Sequence, residues 1–122
     1  MKSKPVLIVD DDDLARLALA EVLQKCGMDV VCVSTPDDAR NARECRVIVS
    51  ELRLTGQTAA EGQALLAELR DRRRGSDVVI FSSFLGAAHA DPMISGVAAS
   101  LPKSTPLREV AATICTLMER LR

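Results

Sequence analysis

Five short, mainly apolar runs alternate along the chain with longer segments in which apolar residues recur at helical spacing. The runs are Pro5–Val9, Asp29–Val33, Val47–Ser50, Asp77–Phe81 and Val97–Leu101. Runs of this length without regular polar alternation are typical of strands buried on both faces of a sheet. The pattern therefore predicts five buried β-strands.

The first intervening segment predicts a helix with recognisable ends. Asp12 or Asp13 supplies the N-terminal cap, and Gly27 ends the helix. Its apolar positions at helical spacing are Leu14, Leu17, Ala18, Val22 and Cys26. This spacing predicts that they form the buried face of the helix.

The remaining segments predict four further helices. A short one begins at Thr35-Pro36, where a cap precedes a proline at the first helical position. A third covers residues 59–73, and the last follows Thr105-Pro106 with an apolar stripe that ends at Leu121. Between residues 84 and 96, Gly86 and the Asp91-Pro92 pair interrupt the pattern, so a short, irregular helix is predicted there.

Alternation of buried strands with helices predicts an α/β fold, in which a parallel sheet is covered by helices on both faces. The length of 122 residues fits one domain spanning residues 1–122. In such sheets, ligands bind beyond the carboxyl ends of the strands. The residues that end each strand are therefore the candidates for function.

Charge and cysteine usage narrow the class of protein. Sixteen basic and seventeen acidic residues give no general signal for binding nucleic acid or an anionic membrane. The first apolar run stops at four aspartates, which fits neither a signal peptide nor a membrane span. The four cysteines contain no C-x-x-C pair, so they are interpreted as small core residues of a protein in the reducing cytoplasm.

Charged and polar residues follow four of the five predicted strands. They are Asp10 and Asp11 after the first strand, Glu51 after the third, Ser82 after the fourth and Lys103 after the fifth. Carboxylates from two strands can hold a divalent cation such as magnesium, and one carboxylate can attack phosphorus. The hydroxyl and the ammonium can contact phosphoryl oxygens, which points to phosphoryl chemistry at this edge.

Four motifs in this order resemble the receiver domains of two-component response regulators. They are VLIVDD at 6–11, ELRLTG at 51–56, IFSS at 80–83 and SLPK at 100–103. The resemblance covers essentially the whole chain and implies a flavodoxin-like, doubly wound, five-stranded parallel sheet of order 2-1-3-4-5 with five helices. It also implies a magnesium site at Asp10 and Asp11, a phosphoacceptor at position 51, phosphoryl contacts from Ser82 and Lys103, and a switch residue at position 100.

Two of these positions depart from the family pattern. Glu51 replaces the phosphoacceptor aspartate, and Ser100 replaces the usual aromatic residue that reports the phosphorylation state. The extra methylene of glutamate moves the carboxylate by about a bond length, and a misplacement of about 1 Å can cost a hundredfold in rate. We therefore expect weak magnesium binding and a non-enzymatic protein-interaction module that acts without phosphorylation.

The resemblance also implies the partners of such a module. They are a sensor histidine kinase or another signalling protein, or a second copy bound through the predicted fourth helix, fifth strand and last helix. Two alternatives stay open. One is a weakly phosphorylatable switch. The other is a magnesium phosphatase of the haloacid-dehalogenase type, which would use the aspartates at 10–13 with Ser82 and Lys103 but lacks a later acidic pair after a strand.

Overall fold

The computed structural model describes residues 4–72, 75–83 and 96–120. The strands within these ranges are β1 (Val6–Val9), β2 (Val30–Val33), β3 (Val47–Ser50), β4 (Asp77–Ser82) and β5 (Ala99–Pro102). The helices are α1 (Asp13–Lys25), α2 (Pro36–Asn41), α3 (Ala59–Arg72) and α4 (Leu107–Arg120). All five predicted strands are confirmed; the third matches at both ends, and the ends of the other four differ by at most two residues. The irregular helix predicted for residues 84–96 lies, except for Gly96, outside the described residues.

The strands form one parallel sheet in the order β2-β1-β3-β4-β5. This confirms the doubly wound, flavodoxin-like arrangement. Every residue of β1 and β3 is buried, whereas β2 and β5 at the edges are only partly covered. Central strands therefore account for the continuous apolar runs, because helices cover them on both faces.

Successive strand residues point to opposite faces and so build two separate cores. One core contains Leu7, Val9, Ile48, Val78 and Ile80 with Leu65, Leu66 and Leu69 of α3 and Ala39 of α2. The other contains Val6, Ile8, Val47, Val49, Val79 and Phe81 with Leu19 and Leu23 of α1 and Val110, Ile114 and Leu117 of α4. Thus α1 and α4 lie on one face of the sheet, and α2 and α3 lie on the other.

The ends of α1 agree with the prediction, but its buried face agrees only in part. Asp12 caps the helix by accepting hydrogen bonds from the backbone N–H groups of Leu14 and Ala15. The residues that α1 buries are Leu19, Ala20 and Leu23, whereas the side chain of Leu14 is 83% exposed and that of Leu17 is 57% exposed. Of the predicted apolar positions, Val22 packs partly buried against this core, whereas Leu14, Leu17 and Cys26 are exposed. Packing against the sheet and α4 therefore selects a face that coincides only in part with the predicted stripe.

The prediction that all four cysteines are core residues was also wrong. Cys45 is buried, Cys115 is half-buried, and Cys26 and Cys32 are exposed. Cys32 lies on the edge strand β2, and Cys26 is the C-terminal cap of α1, just before Gly27 with its positive φ of 86°. An edge strand and a helix end both leave side chains uncovered, even within apolar sequence.

None of the helices in the described part of the chain has the length and apolar character needed to cross a membrane.

Candidate functional site

A cavity of about 590 Å³ lies at the carboxyl edge of the sheet. Its lining includes Asp10, Asp11, Glu51 and Lys103, four residues selected from the sequence as strand-end candidates. They meet because all the strands are parallel and their carboxyl ends lie at the same end of the sheet. In this sheet β1 lies next to β3, and β4 lies between β3 and β5. The topology thus brings together side chains that are far apart in the chain.

The strongest contact in the cavity joins Lys103 to Asp10. The ammonium Nζ of Lys103 lies 2.7 Å from Oδ2 of Asp10. Asp10 is only 4% exposed, and its other oxygen, Oδ1, accepts a hydrogen bond from the backbone N–H of Asp12 at 2.9 Å. Lys103 also lies 5.3 Å from the ring centroid of Phe81, within the range of a cation–π contact. Both carboxylate oxygens of Asp10 are therefore engaged by donors of this chain.

Glu51 folds its side chain back onto its own backbone. Its Oε2 accepts a hydrogen bond of 2.8 Å from the N–H of Leu52, and its Oε1 lies 3.8 Å from Nζ of Lys103. The residue is only 7% exposed. The added methylene thus lets one carboxylate cap the turn after β3 and face the ammonium with its other oxygen.

Asp11 connects the loops that follow β1 and β3. Its Oδ2 accepts a hydrogen bond of 2.7 Å from the backbone N–H of Thr55. Partial burial acts to raise the pKa of Asp11, but hydrogen bonds from Thr55 and the charge of Lys103 outweigh it, and the pKa lies below its usual value. Asp11 is therefore a hydrogen-bonded carboxylate that holds the β3–α3 loop against the end of β1.

The loop after β3 is also fixed from the other side by α3. Thr58 and Glu61 form a reciprocal capping box, in which each side chain accepts a hydrogen bond from the other residue's backbone N–H. Gly62 packs so closely that an added Cβ would overlap the carbonyl oxygen of Leu52. Only glycine allows this approach of the helix to the residue next to Glu51.

The end of β4 differs from the expectation. Ser82, the residue expected to contact a phosphoryl group, is fully buried. The next residue, Ser83, is exposed and lines the cavity instead. Ser100 lies within β5, half-buried and paired with Ile80 of β4. Ser82 thus approaches the site through the backbone, where its carbonyl accepts a hydrogen bond of 3.0 Å from the N–H of Lys103.

Arg16 and Thr55 are site residues that the sequence reasoning missed. The Nη1 of Arg16 donates a hydrogen bond of 2.8 Å to the backbone carbonyl of Asp10, and its Nη2 lies 2.6 Å from Asp13. Arg16 follows the helix cap Asp12 by about one turn, so its approach to the end of β1 could have been predicted from the sequence. The backbone donor of Thr55 had none, because a main-chain N–H carries no sequence signature.

Donors of the chain engage several of the carboxylate oxygens that a magnesium ion at Asp10 and Asp11 would need. Magnesium needs oxygen ligands free to point at the ion. The oxygens of Asp10 engage Lys103 and a backbone N–H, and one oxygen each of Asp11 and Glu51 accepts a backbone N–H. Within residues 4–72, 75–83 and 96–120, no three His, Cys, Asp or Glu residues are grouped so as to hold a metal ion.

Comparison with known proteins supports the architecture. No family model and no curated protein sequence matches the chain. Among solved structures, it is similar to a CheY-like response regulator receiver domain protein from Methanospirillum hungatei, with a TM-score of 0.83 and 19% identity over 98% of this chain and 97% of that one.

Two further receiver structures give the same result. A Francisella response regulator receiver domain has a TM-score of 0.82 and 22% identity over 98% of this chain and all of that one. The response regulator TrrA of Thermotoga maritima, solved in complex with Mg²⁺-BeF, has a TM-score of 0.81 and 18% identity over 93% of this chain and 98% of that one. The chain therefore has the fold of CheY-like receiver domains.

Proposed function

We propose that this chain is a receiver module of two-component signal transduction whose pocket stays in one state without phosphorylation. One observation carries the proposal. Lys103, the residue expected to contact a phosphoryl group, lies between Asp10 and Glu51, with Nζ 2.7 Å from one carboxylate and 3.8 Å from the other. The chain thus supplies its own anions to the lysine.

The charge of Glu51 supports a fixed state rather than a switch. A phosphate carries about −1.5 to −2 charges at neutral pH and can be added or removed. The carboxylate of Glu51 carries at most one and is permanent, and its Oε2 is held by the N–H of Leu52. Position 51 therefore offers a constant anion beside Lys103, on a side chain one methylene longer than aspartate.

Ser100 removes the usual means of communicating a change. The family resemblance implies an aromatic ring at this position that moves between buried and exposed states. A hydroxymethyl group has no ring to move, and a switch needs contacts that differ between its two states. We therefore expect one dominant conformation and partner binding that does not depend on phosphorylation.

The module is proposed to act by binding in the cytoplasm, without enzymatic activity of its own. Its partner would be a sensor histidine kinase or another signalling protein, or a second copy of the chain bound through β5, α4 and the segment before β5. Magnesium would bind weakly through Asp10 and Asp11, because Lys103 must first release Asp10.

Labelling with a small acyl phosphate in the presence of magnesium tests the proposal. Intact mass is the readout, since the chain has no Trp or Tyr to report by fluorescence. The wild type should gain no phosphoryl group, whereas Glu51→Asp should gain one at position 51, because the shorter carboxylate restores the acceptor. Glu51→Gln is the matched control and should stay unlabelled. Stoichiometric wild-type labelling mapped to Glu51 would refute the proposal.

A weakly phosphorylatable switch, the alternative to this proposal, would change its binding to partners when a phosphodonor is added. Self-association or partner binding of the wild type, Glu51→Asp and Glu51→Gln is measured with and without the phosphodonor. The proposal expects no change in the wild type. A rise of more than about tenfold on adding donor, equivalent to about 1.4 kcal/mol of coupling, favours the switch instead.

A further inference from the structure

The cavity at the carboxyl edge of the sheet carries an excess of negative charge. Its charged lining residues are four acids and two bases, namely Asp10, Asp11, Asp12, Glu51, Arg53 and Lys103. Lys103 lies against Asp10 at 2.7 Å, so its charge compensates that carboxylate first. Four carboxylates against two cations leave an excess of two negative charges, which favours a cationic ligand.

One buried oxygen in the cavity wall has no hydrogen-bond donor. Glu51 lines the cavity and is only 7% exposed, and its Oε2 accepts the N–H of Leu52. Its Oε1 lies 3.8 Å from Nζ of Lys103, which is beyond the distance of a hydrogen bond. Within residues 4–72, 75–83 and 96–120, Oε1 accepts no hydrogen bond. Buried polar atoms normally have a donor, so this oxygen indicates a place where a ligand donates.

The size and the donor set of the cavity favour an organic cation over a metal ion. Its volume of about 590 Å³ lies in the range of small-molecule sites. A magnesium ion needs several free oxygens around one point, whereas both oxygens of Asp10 already accept hydrogen bonds from the chain. An organic cation brings its own N–H donors, so one or two free acceptor oxygens are enough to hold it.

Among organic cations, a guanidinium group matches the cavity best. It offers five N–H donors in a planar fork, and it is more weakly hydrated than an ammonium, which lowers the cost of entering a partly enclosed site. Oε1 of Glu51 would accept one of these donors. The carboxylates of Asp11 and Asp12, which follow the neighbouring strand β1, supply the remaining negative charge of the wall.

We propose that this cavity binds a guanidinium group, and that in the complex with a protein partner this group is an arginine side chain. The proposal names what the interaction module recognises, and its second half rests on the proposed function. A single cationic side chain satisfies Oε1 of Glu51 and leaves Lys103 in place on Asp10. Recognition by this route needs neither magnesium nor phosphorylation.

Titration of the isotope-labelled wild type with a capped Gly-Arg-Gly peptide tests the proposal, with the backbone amide signals of the protein as the readout. Saturable shifts are expected at Leu52 and Thr55, whose N–H groups bond Glu51 and Asp11. Gly-citrulline-Gly, in which a neutral urea replaces the guanidinium, should bind about tenfold more weakly, because the charge-assisted hydrogen bonds are lost. Equal binding of the two peptides, or shifts confined to another part of the molecule, would overturn the proposal.

Two variants test the role of the glutamate. Glu51→Gln keeps the length of the side chain but removes its charge, and it should weaken binding of the arginine peptide by about tenfold. Glu109→Gln removes an exposed carboxylate outside the cavity lining and should leave this binding unchanged. Equal binding by the wild type and Glu51→Gln would overturn the assignment to Oε1. The comparison of the two peptides on the wild type decides the matter even if Glu51→Gln does not fold.

Methylguanidinium distinguishes the source of the group. Tighter binding of the peptide than of methylguanidinium supports a side chain of a protein partner, whereas equal or tighter binding of methylguanidinium overturns that half of the proposal in favour of a free small molecule. These titrations contain no phosphodonor, so their failure leaves the labelling test of the proposed function intact. Labelling of Glu51 in the wild type would refute the proposed function without refuting the guanidinium site.

Discussion

The ammonium of Lys103 lies 2.7 Å from a carboxylate oxygen of Asp10, and this contact joins the ends of the first and last strands across 93 positions of sequence. Asp10 is 4% exposed, so its charge is almost removed from water. A buried charge is tolerated only when it is paired and hydrogen-bonded. The ion pair is therefore part of the structural support of the pocket as well as its main electrostatic feature.

Removing the lysine should destabilise the fold. Lys103→Met leaves Asp10 buried without its counter-ion, and the expected loss is about 2–4 kcal/mol in the free energy of unfolding by urea. Lys4→Met is the matched control, because Lys4 pairs with Glu44 on the exposed surface at 3.0 Å and should cost no more than about 1 kcal/mol. Equal stabilities of the two variants would show that the buried pair is not required. Adding Asp10→Asn to Lys103→Met should recover part of the loss.

The hydrogen-bonded Asp11 should contribute stability that depends on pH. Its folded-state pKa lies below the usual value, so its contribution is complete at neutral pH. That contribution is lost as the pH falls from about 4 through the lower, folded-state pKa. Asp11→Asn should therefore lower stability at pH 7 by less than about 1 kcal/mol, since the site is partly exposed, and the difference from the wild type should vanish in acid.

The exposed Asp29 offers a control for this pH profile. Asp29→Asn removes one carboxylate of the same type and should leave the shape of the stability curve unchanged. Urea unfolding between pH 2.5 and 7 provides the measurement. A constant difference between wild type and Asp11→Asn across that range would mean that the bond to Thr55 does not favour the ionised carboxylate.

Magnesium should change the melting temperature very little. A ligand at a concentration equal to its Kd stabilises the folded state by only about 0.4 kcal/mol, so a weak site at millimolar magnesium should shift the midpoint by less than about 2 °C. Lys103→Met should show a larger shift, because it releases an oxygen of Asp10 for the ion. A large wild-type shift that survives Asp11→Ala would place the metal elsewhere in the molecule.

Glycine at position 62 should be required by the packing of α3 on the turn after β3. Alanine is favoured over glycine inside a helix by about 1 kcal/mol, but here its Cβ would overlap the carbonyl oxygen of Leu52. Gly62→Ala should therefore destabilise the fold by about 1–3 kcal/mol. Ala64→Gly, at an exposed position of the same helix, is the control. It should cost about 1 kcal/mol, because alanine is the favoured residue where no backbone packs against the helix. A stabilised Gly62→Ala variant would contradict this close contact.

The sequence by itself determined the order of strands and helices and four of the residues that line the pocket. Apolar runs without alternation are typical of strands covered on both faces, as β1, β3 and β4 are, although the run in β2 lies at the edge and is only partly covered. Asp10, Asp11, Glu51 and Lys103 could be selected because parallel strands present their carboxyl ends at one edge. Both signals are local in sequence, so no tertiary information was needed.

The tertiary structure decided which face of each element is covered and which donors reach each carboxylate. Leu14 and Leu17 fit a helical stripe as well as Leu19 and Leu23 do, and only the position of α4 and the sheet chooses between them. Ser83 lines the cavity in place of Ser82, because strand pairing fixes the direction of each side chain. The N–H of Thr55 at Asp11 and the ammonium of Lys103 at Asp10 come from distant parts of the chain. Such contacts depend on the packing of whole elements, which no local pattern encodes.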